Sequence, residues 1–65
     1  MTDFTLAFDR ELERCRKLLV YYRGLDGAPY RAAGAQFVVS QAERALDSRD
    51  LAVMIRAYAD MKGFE

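Results

Sequence analysis

Histidine and tryptophan are absent from this 65-residue chain, and cysteine and proline each occur once. Without histidine, the most common general acid–base residue and metal ligand is missing. The single cysteine, Cys15, cannot form an intramolecular disulfide, and an unpaired thiol is more typical of a reducing compartment than of an exported protein. We therefore expect no metal, no cofactor and a cytoplasmic location.

An excess of charge of one sign is also absent, since ten lysines and arginines balance ten aspartates and glutamates. Nucleic-acid-binding domains usually have a basic excess. No apolar run, residues 18–22 included, approaches the ~20 residues that span a bilayer, and the first residues lack the basic and apolar regions of a signal peptide. We expect neither a nucleic-acid partner nor a membrane.

The first helix is predicted from about Phe4 to Arg23. Thr2 or Asp3 can cap its start, and Gly24 can supply the left-handed residue that commonly ends a helix. Apolar residues alternate at spacings of four and three, which is typical of a seam that faces another helix. This seam consists of Phe8, Leu12, Cys15, Leu19 and Tyr22.

The second helix is predicted from about Pro29 to Leu46, after a turn in which Gly24 and Gly27 permit positive φ and Asp26 can cap the helix. Such a short connection makes the first two helices an antiparallel hairpin. Apolar residues cover more than half the circumference of this helix, well beyond the usual ~100° stripe. Gly34 costs the helix up to ~1 kcal/mol relative to alanine, which indicates either a close backbone approach or simple tolerance.

The third helix is predicted from about Arg49 to Lys62, and a break before it is favoured over one kinked helix. At the break, Asp47 with Asp50 three residues later imitates a capping box, and Ser48 is an equally good cap. Apolar residues at helical spacing then form a stripe: Leu51, Met54, Ile55, Tyr58 and Met61. Phe64, just after the predicted end, is placed to fold back. The sequence thus predicts one all-α domain over residues 1–65, a compact three-helix fold.

Catalytic chemistry has little support in this sequence. Cys15 is next to Arg14 and Arg16, and neighbouring cations can lower the pKa of a thiol and make it a nucleophile. However, Cys15 occupies a seam position, where a buried cysteine acts as a small hydrophobic residue. We favour this second interpretation and expect no enzymatic activity.

Protein–protein interaction is the function that remains. Tyrosine and arginine are enriched at binding hot spots, and both occur on the first helix away from its seam. We predict that a partner protein binds a set of residues called here the helix-1 strip: Arg10, Arg14, Lys17, Val20 and Tyr21. The alternative is a small DNA-associated transcriptional regulator that uses the same strip.

A homodimer is also expected, because a core this small leaves stability marginal and a second copy adds apolar burial. We assign the dimer interface to Ala32, Ala35 and Val39, on the side of the second helix away from Phe37. A long first helix, a glycine-rich turn and an alanine-rich second helix resemble the architecture of small secretion co-chaperones and phage-encoded inhibitors. This resemblance rests on no diagnostic motif, and it implies a protein that masks, inhibits or chaperones a partner.

Overall fold

The computed structural model describes residues 3–65, which form three α-helices and no strand. These are α1 (Asp3–Arg23), α2 (Pro29–Ser48) and α3 (Leu51–Lys62). The predicted all-helical class is confirmed, and α2 and α3 are two helices rather than one. Of the two predicted caps of α1, Thr2 lies outside the described residues, whereas Asp3 is already part of the helix.

Two side-chain contacts show how α1 and α2 lie against each other. Arg16 of α1 pairs with Glu43 of α2 at 2.9 Å. Two turns farther along α1, Arg23 donates a hydrogen bond to Gln36, which lies two turns before Glu43 on α2. The two helices therefore run in opposite directions.

The turn between α1 and α2 differs from the expected one in its details. Gly27, with φ of 84°, is the left-handed residue of the turn, and Gly24 is not. The Gly24 amide still donates to the Val20 carbonyl at 3.2 Å, which closes the last turn of α1. Ala28 is the N-cap of α2 and makes no side-chain capping bond, so the predicted cap by Asp26 is wrong.

The core lies between the three helices and is built largely from small side chains. On α1 the predicted seam is confirmed, because four of its five residues are buried and Tyr22 is partly buried. The buried residues of α2 include three alanines, which let the neighbouring helices approach closely. The core consists of Phe8, Leu12, Cys15, Leu19, Ala35, Val39, Ala42, Ala45, Met54, Ala57 and Met61.

The orientation of α2 is the reverse of the expected one. Ala35 and Val39, assigned to a dimer interface, are buried inside the single chain, whereas Phe37 is 61% exposed. Small side chains allow close packing between helices, and a phenylalanine ring would hold them apart. The side of α2 that carries the alanines therefore faces the core.

The buried face of α3 also differs from the predicted stripe. Met54 and Met61 are buried as expected. Leu51 and Ile55, which were also predicted to be buried, are 60% and 53% exposed, and Ala57 is buried instead. The helix is thus rotated towards its alanine, which belongs to the core. Leu51 and Ile55 stay at the surface.

The N-cap of α3 is neither Asp47 nor Ser48, the two caps predicted from the sequence. Asp50 is the N-cap of α3, and its Oδ1 accepts hydrogen bonds from the amides of Ala52 and Val53 at 3.0 and 3.4 Å. Ser48 instead accepts a hydrogen bond from the Asp50 amide at 3.1 Å. Arg49 takes the left-handed conformation at the end of α2, with φ of 56°.

Candidate functional site

The helix-1 strip lies along the outer side of α1. Val20 is 71% exposed and Tyr21 is 59% exposed, although both are apolar or aromatic. Arg10 and Lys17 are exposed as well. This part of the strip offers two cations and two apolar contacts to a partner.

Arg14 differs from the rest of the strip because its guanidinium is used within the chain. It pairs with Glu11 at 2.9 Å and donates a hydrogen bond to the Met61 carbonyl at 2.6 Å. The hydrogen bond with Glu11 raises the pKa of Arg14. The side chain therefore ties α1 to the end of α3, and a partner would have to compete with these contacts.

A second exposed apolar region lies where α2 and α3 meet. Gln41 of α2 and Val53 and Arg56 of α3 line one shallow depression. Phe37 lies one helical turn before Gln41 on the same side of α2, and Tyr30 two turns before Phe37. We call these five residues the α2–α3 surface. Tyr30 and Phe37 are its largest exposed side chains.

The predicted dimer residues do not belong to this surface. Ala32 is only partly exposed, and Ala35 and Val39 belong to the core of the single chain. The most exposed large apolar residues of α2 are Tyr30 and Phe37, on the opposite side from the predicted patch.

Cys15 is fully buried, and its Sγ donates a long hydrogen bond of 3.8 Å to the Met61 carbonyl. Burial raises the pKa of the thiol, and this effect outweighs the lowering by Arg14. Because the thiolate is the nucleophilic form, this environment suppresses the reactivity of Cys15.

An open cleft at the end of the bundle is lined by Thr5, Leu46, Asp47, Arg49 and Met54. Its charged residues, Asp47 and Arg49, are both exposed. Within residues 3–65, no group of three or more carboxylate or thiol side chains is arranged to hold a metal ion. No described helix is both long enough and apolar enough to cross a bilayer.

Two hydrogen bonds to the last described residue, Glu65, were not predicted from the sequence. The Tyr22 hydroxyl donates a hydrogen bond to the main-chain oxygen of Glu65 at 2.7 Å, and Arg31 Nη1 donates to the same oxygen at 3.2 Å. The Phe64 ring lies over Gly34, so that a Cβ added there would be 3.2 Å from Phe64 Cε1. Gly34 and Phe64 are each unusual in the sequence, but no sequence pattern predicts that they are in contact.

In comparisons with known proteins, no family model, curated protein or solved structure matches this chain.

Proposed function

We propose that this protein is a small non-enzymatic interaction module that binds and masks, inhibits or chaperones a partner protein. The observation that carries this proposal is the exposure of large apolar side chains outside a core of eleven residues, four of which are alanine. Phe37, Val20 and Tyr21 are each more exposed than buried. Single exposed apolar residues are common, but contiguous exposed apolar regions mark interaction sites.

Self-association is assigned to the α2–α3 surface. A symmetric dimer uses one patch twice, so Phe37 of each copy would be covered at two equivalent places. The molecule extends 39 by 18 by 16 Å along its principal axes, so an interface that takes the standard ~800 Å² from each partner needs most of one long side. A homodimer would therefore use most of one face and leave the helix-1 strip free.

The helix-1 strip is the proposed site for the partner protein. Val20 and Tyr21 would supply the apolar contact, with Arg10 and Lys17 at its edge. Charged residues at the rim of an interface contribute more to the rate of association than to its strength. Binding should therefore depend mainly on Val20 and Tyr21.

DNA binding through the same strip is the competing proposal, and the structure supports it less well. The guanidinium of Arg14 is held by Glu11 and by the Met61 carbonyl, which leaves Arg10 and Lys17 as the cations of the strip that form no ion pair with residues 3–65. Phosphate binding by so few cations is weak, and it weakens further as the salt concentration rises.

Capture from a native lysate distinguishes these proposals. The wild-type chain should retain a protein that Val20→Glu fails to retain, and the capture should persist in moderate salt. Phe37→Glu, which changes an apolar residue on the other surface, is the matched control and should retain the partner. Capture of nucleic acid that is lost at moderate salt would favour the DNA alternative. Equal capture by the wild type and Val20→Glu would exclude the helix-1 strip as the site.

A further inference from the structure

Tyr22, Arg31 and Gly34 form a small notch where the end of α1 meets the start of α2, and residues 64 and 65 fill it. The Phe64 ring packs edge-on against the Tyr22 ring, with 6.3 Å between centroids. Two donors, the Tyr22 hydroxyl and Arg31 Nη1, converge on the main-chain oxygen of Glu65. The Arg31 guanidinium also lies over the Tyr22 ring at 5.7 Å.

Each part of the notch recognises a different chemical feature. Gly34 leaves room for an aromatic ring, because a side chain there would meet Phe64. Tyr22 and Arg31 present hydrogen-bond donors to a main-chain carbonyl, and the positive charge of Arg31 favours an acidic residue nearby. The occupant, Phe64 followed by Glu65, has all of these features.

Residues 64 and 65 can leave the notch without unfolding a helix, since α3 ends at Lys62. Phe64 packs against the edge of the core but is only partly buried, and both hydrogen bonds to Glu65 are exposed to solvent. Contacts of this kind open locally more easily than a packed core does.

We propose that this notch is a peptide-binding site for an aromatic residue followed by an acidic one, and that Phe64 and Glu65 occupy it until a partner segment displaces them. The proposal rests on the proposed function and names the chemistry of the partner. The notch adjoins the helix-1 strip, because the Tyr21 and Tyr22 rings are in edge-on contact at 5.5 Å. A partner bound along the strip would thus reach the notch at its end.

Occupancy by the chain's own residues sets the expected affinities. A site open in a fraction of the molecules binds an external ligand with an apparent Kd that is raised by the inverse of that fraction. If the open form is at most ~10% populated, removal of the Phe64 ring should strengthen binding of an external peptide at least ~10-fold.

The test is an NMR titration of the full chain with a capped hexapeptide of the sequence of residues 60–65. In the Phe64→Ala chain, the peptide should shift the amide signals of Tyr22, Arg31 and Gly34 and saturate in the millimolar range. The wild type should need at least ~10-fold more peptide for the same shifts. A probe peptide with alanine in place of its phenylalanine is the matched control and should cause no localised shift.

Arg31→Ala, introduced into the Phe64→Ala chain, should weaken the binding of the peptide while leaving the rest of the spectrum unchanged. Three results would each overturn the proposal: no localised shift at several millimolar peptide, identical curves for wild type and Phe64→Ala, or equal binding of the alanine probe. None of these results would change whether the chain captures a partner protein in a way that depends on Val20. The peptide-binding proposal and the proposed function can therefore fail independently.

Discussion

Cys15 illustrates at the level of one residue how burial decides chemistry. From the sequence alone, the neighbouring arginines could make the Cys15 thiol reactive, whereas burial would make it inert. The structure shows that burial has the larger effect on the pKa of the thiol. The side chain is fully buried and its pKa is raised. Position in the seam predicted this outcome, because a residue that repeats with Leu12 and Leu19 points into the core.

We predict that Cys15→Ala lowers the free energy of unfolding by roughly 1–3 kcal/mol and changes its dependence on pH. Above about pH 8.5 the unfolded thiol ionises while the native thiol stays protonated. The unfolded state then binds fewer protons, so wild-type stability falls as the pH rises, by at most ~1.4 kcal/mol per pH unit.

Urea unfolding of both chains between pH 7 and pH 10 measures this effect as the difference between two curves, which cancels the other titrating groups. Parallel curves would show that the thiol has the same pKa in both states. Rapid labelling of Cys15 in the native protein would likewise contradict burial.

Gly34 lies under a side chain rather than under another helix, and this changes what a substitution there should do. Gly34→Ala favours the helix by up to ~1 kcal/mol, and the Phe64 ring must move only slightly to admit the new Cβ. We predict unchanged or slightly raised stability for Gly34→Ala. Gly34→Leu should displace the Phe64 ring and destabilise the chain.

A double-mutant cycle separates these effects. In a Phe64→Ala background, Gly34→Leu should cost clearly less than in the wild type, because the ring that it displaces is already gone. The free energy of unfolding of the four chains measures the coupling. An equal cost of Gly34→Leu in both backgrounds would mean that Phe64 is not the neighbour that matters.

At the scale of the helices, sequence periodicity located all three elements and the buried face of α1. It was less informative for α2 and α3, because each carries apolar residues on more than one face. Periodicity treats Phe37 and Ala35 alike as apolar, whereas packing between close helices admits the alanine and excludes the ring. The same reason explains why Ala57 is buried and Ile55 is exposed.

The start of α3 yields a prediction at this scale. Asp50→Ala removes the acceptor for two main-chain amides and should lower the free energy of unfolding by about 0.5–2 kcal/mol. Asp47→Ala, an exposed change three residues earlier, is the matched control and should stay within ~0.5 kcal/mol of the wild type. Thermal or urea unfolding measures both, and equal losses would contradict the assignment of Asp50 as the cap.

At the scale of the whole molecule, the exposure of Val20 and Tyr21 could be predicted from their position off the α1 seam. The dimer patch could not, because its assignment depended on which side of α2 faces the core. The notch was also beyond the sequence, since Tyr22, Gly34 and Phe64 are distant along the chain and meet only through the fold. Long-range contacts of this kind leave no local pattern.

Stability and self-association are linked in a chain of this size. A 65-residue chain buries only about 60% of its unfolded surface, and the core found here contains many alanines. Covering Phe37 and Tyr30 with a second copy removes further apolar area from water, at ~25 cal/mol per Å². The melting temperature should therefore rise with protein concentration.

Sedimentation velocity over a range of micromolar concentrations tests the central claim most directly, namely that the α2–α3 surface is an interface. The wild type should sediment as a dimer, and Phe37→Glu should sediment as a monomer with an unchanged helical circular dichroism spectrum. Val20→Glu, an equally polar change on the helix-1 strip, should remain a dimer. A wild-type chain that stays monomeric at high micromolar concentration, or a Phe37→Glu chain that still dimerises, would contradict the account.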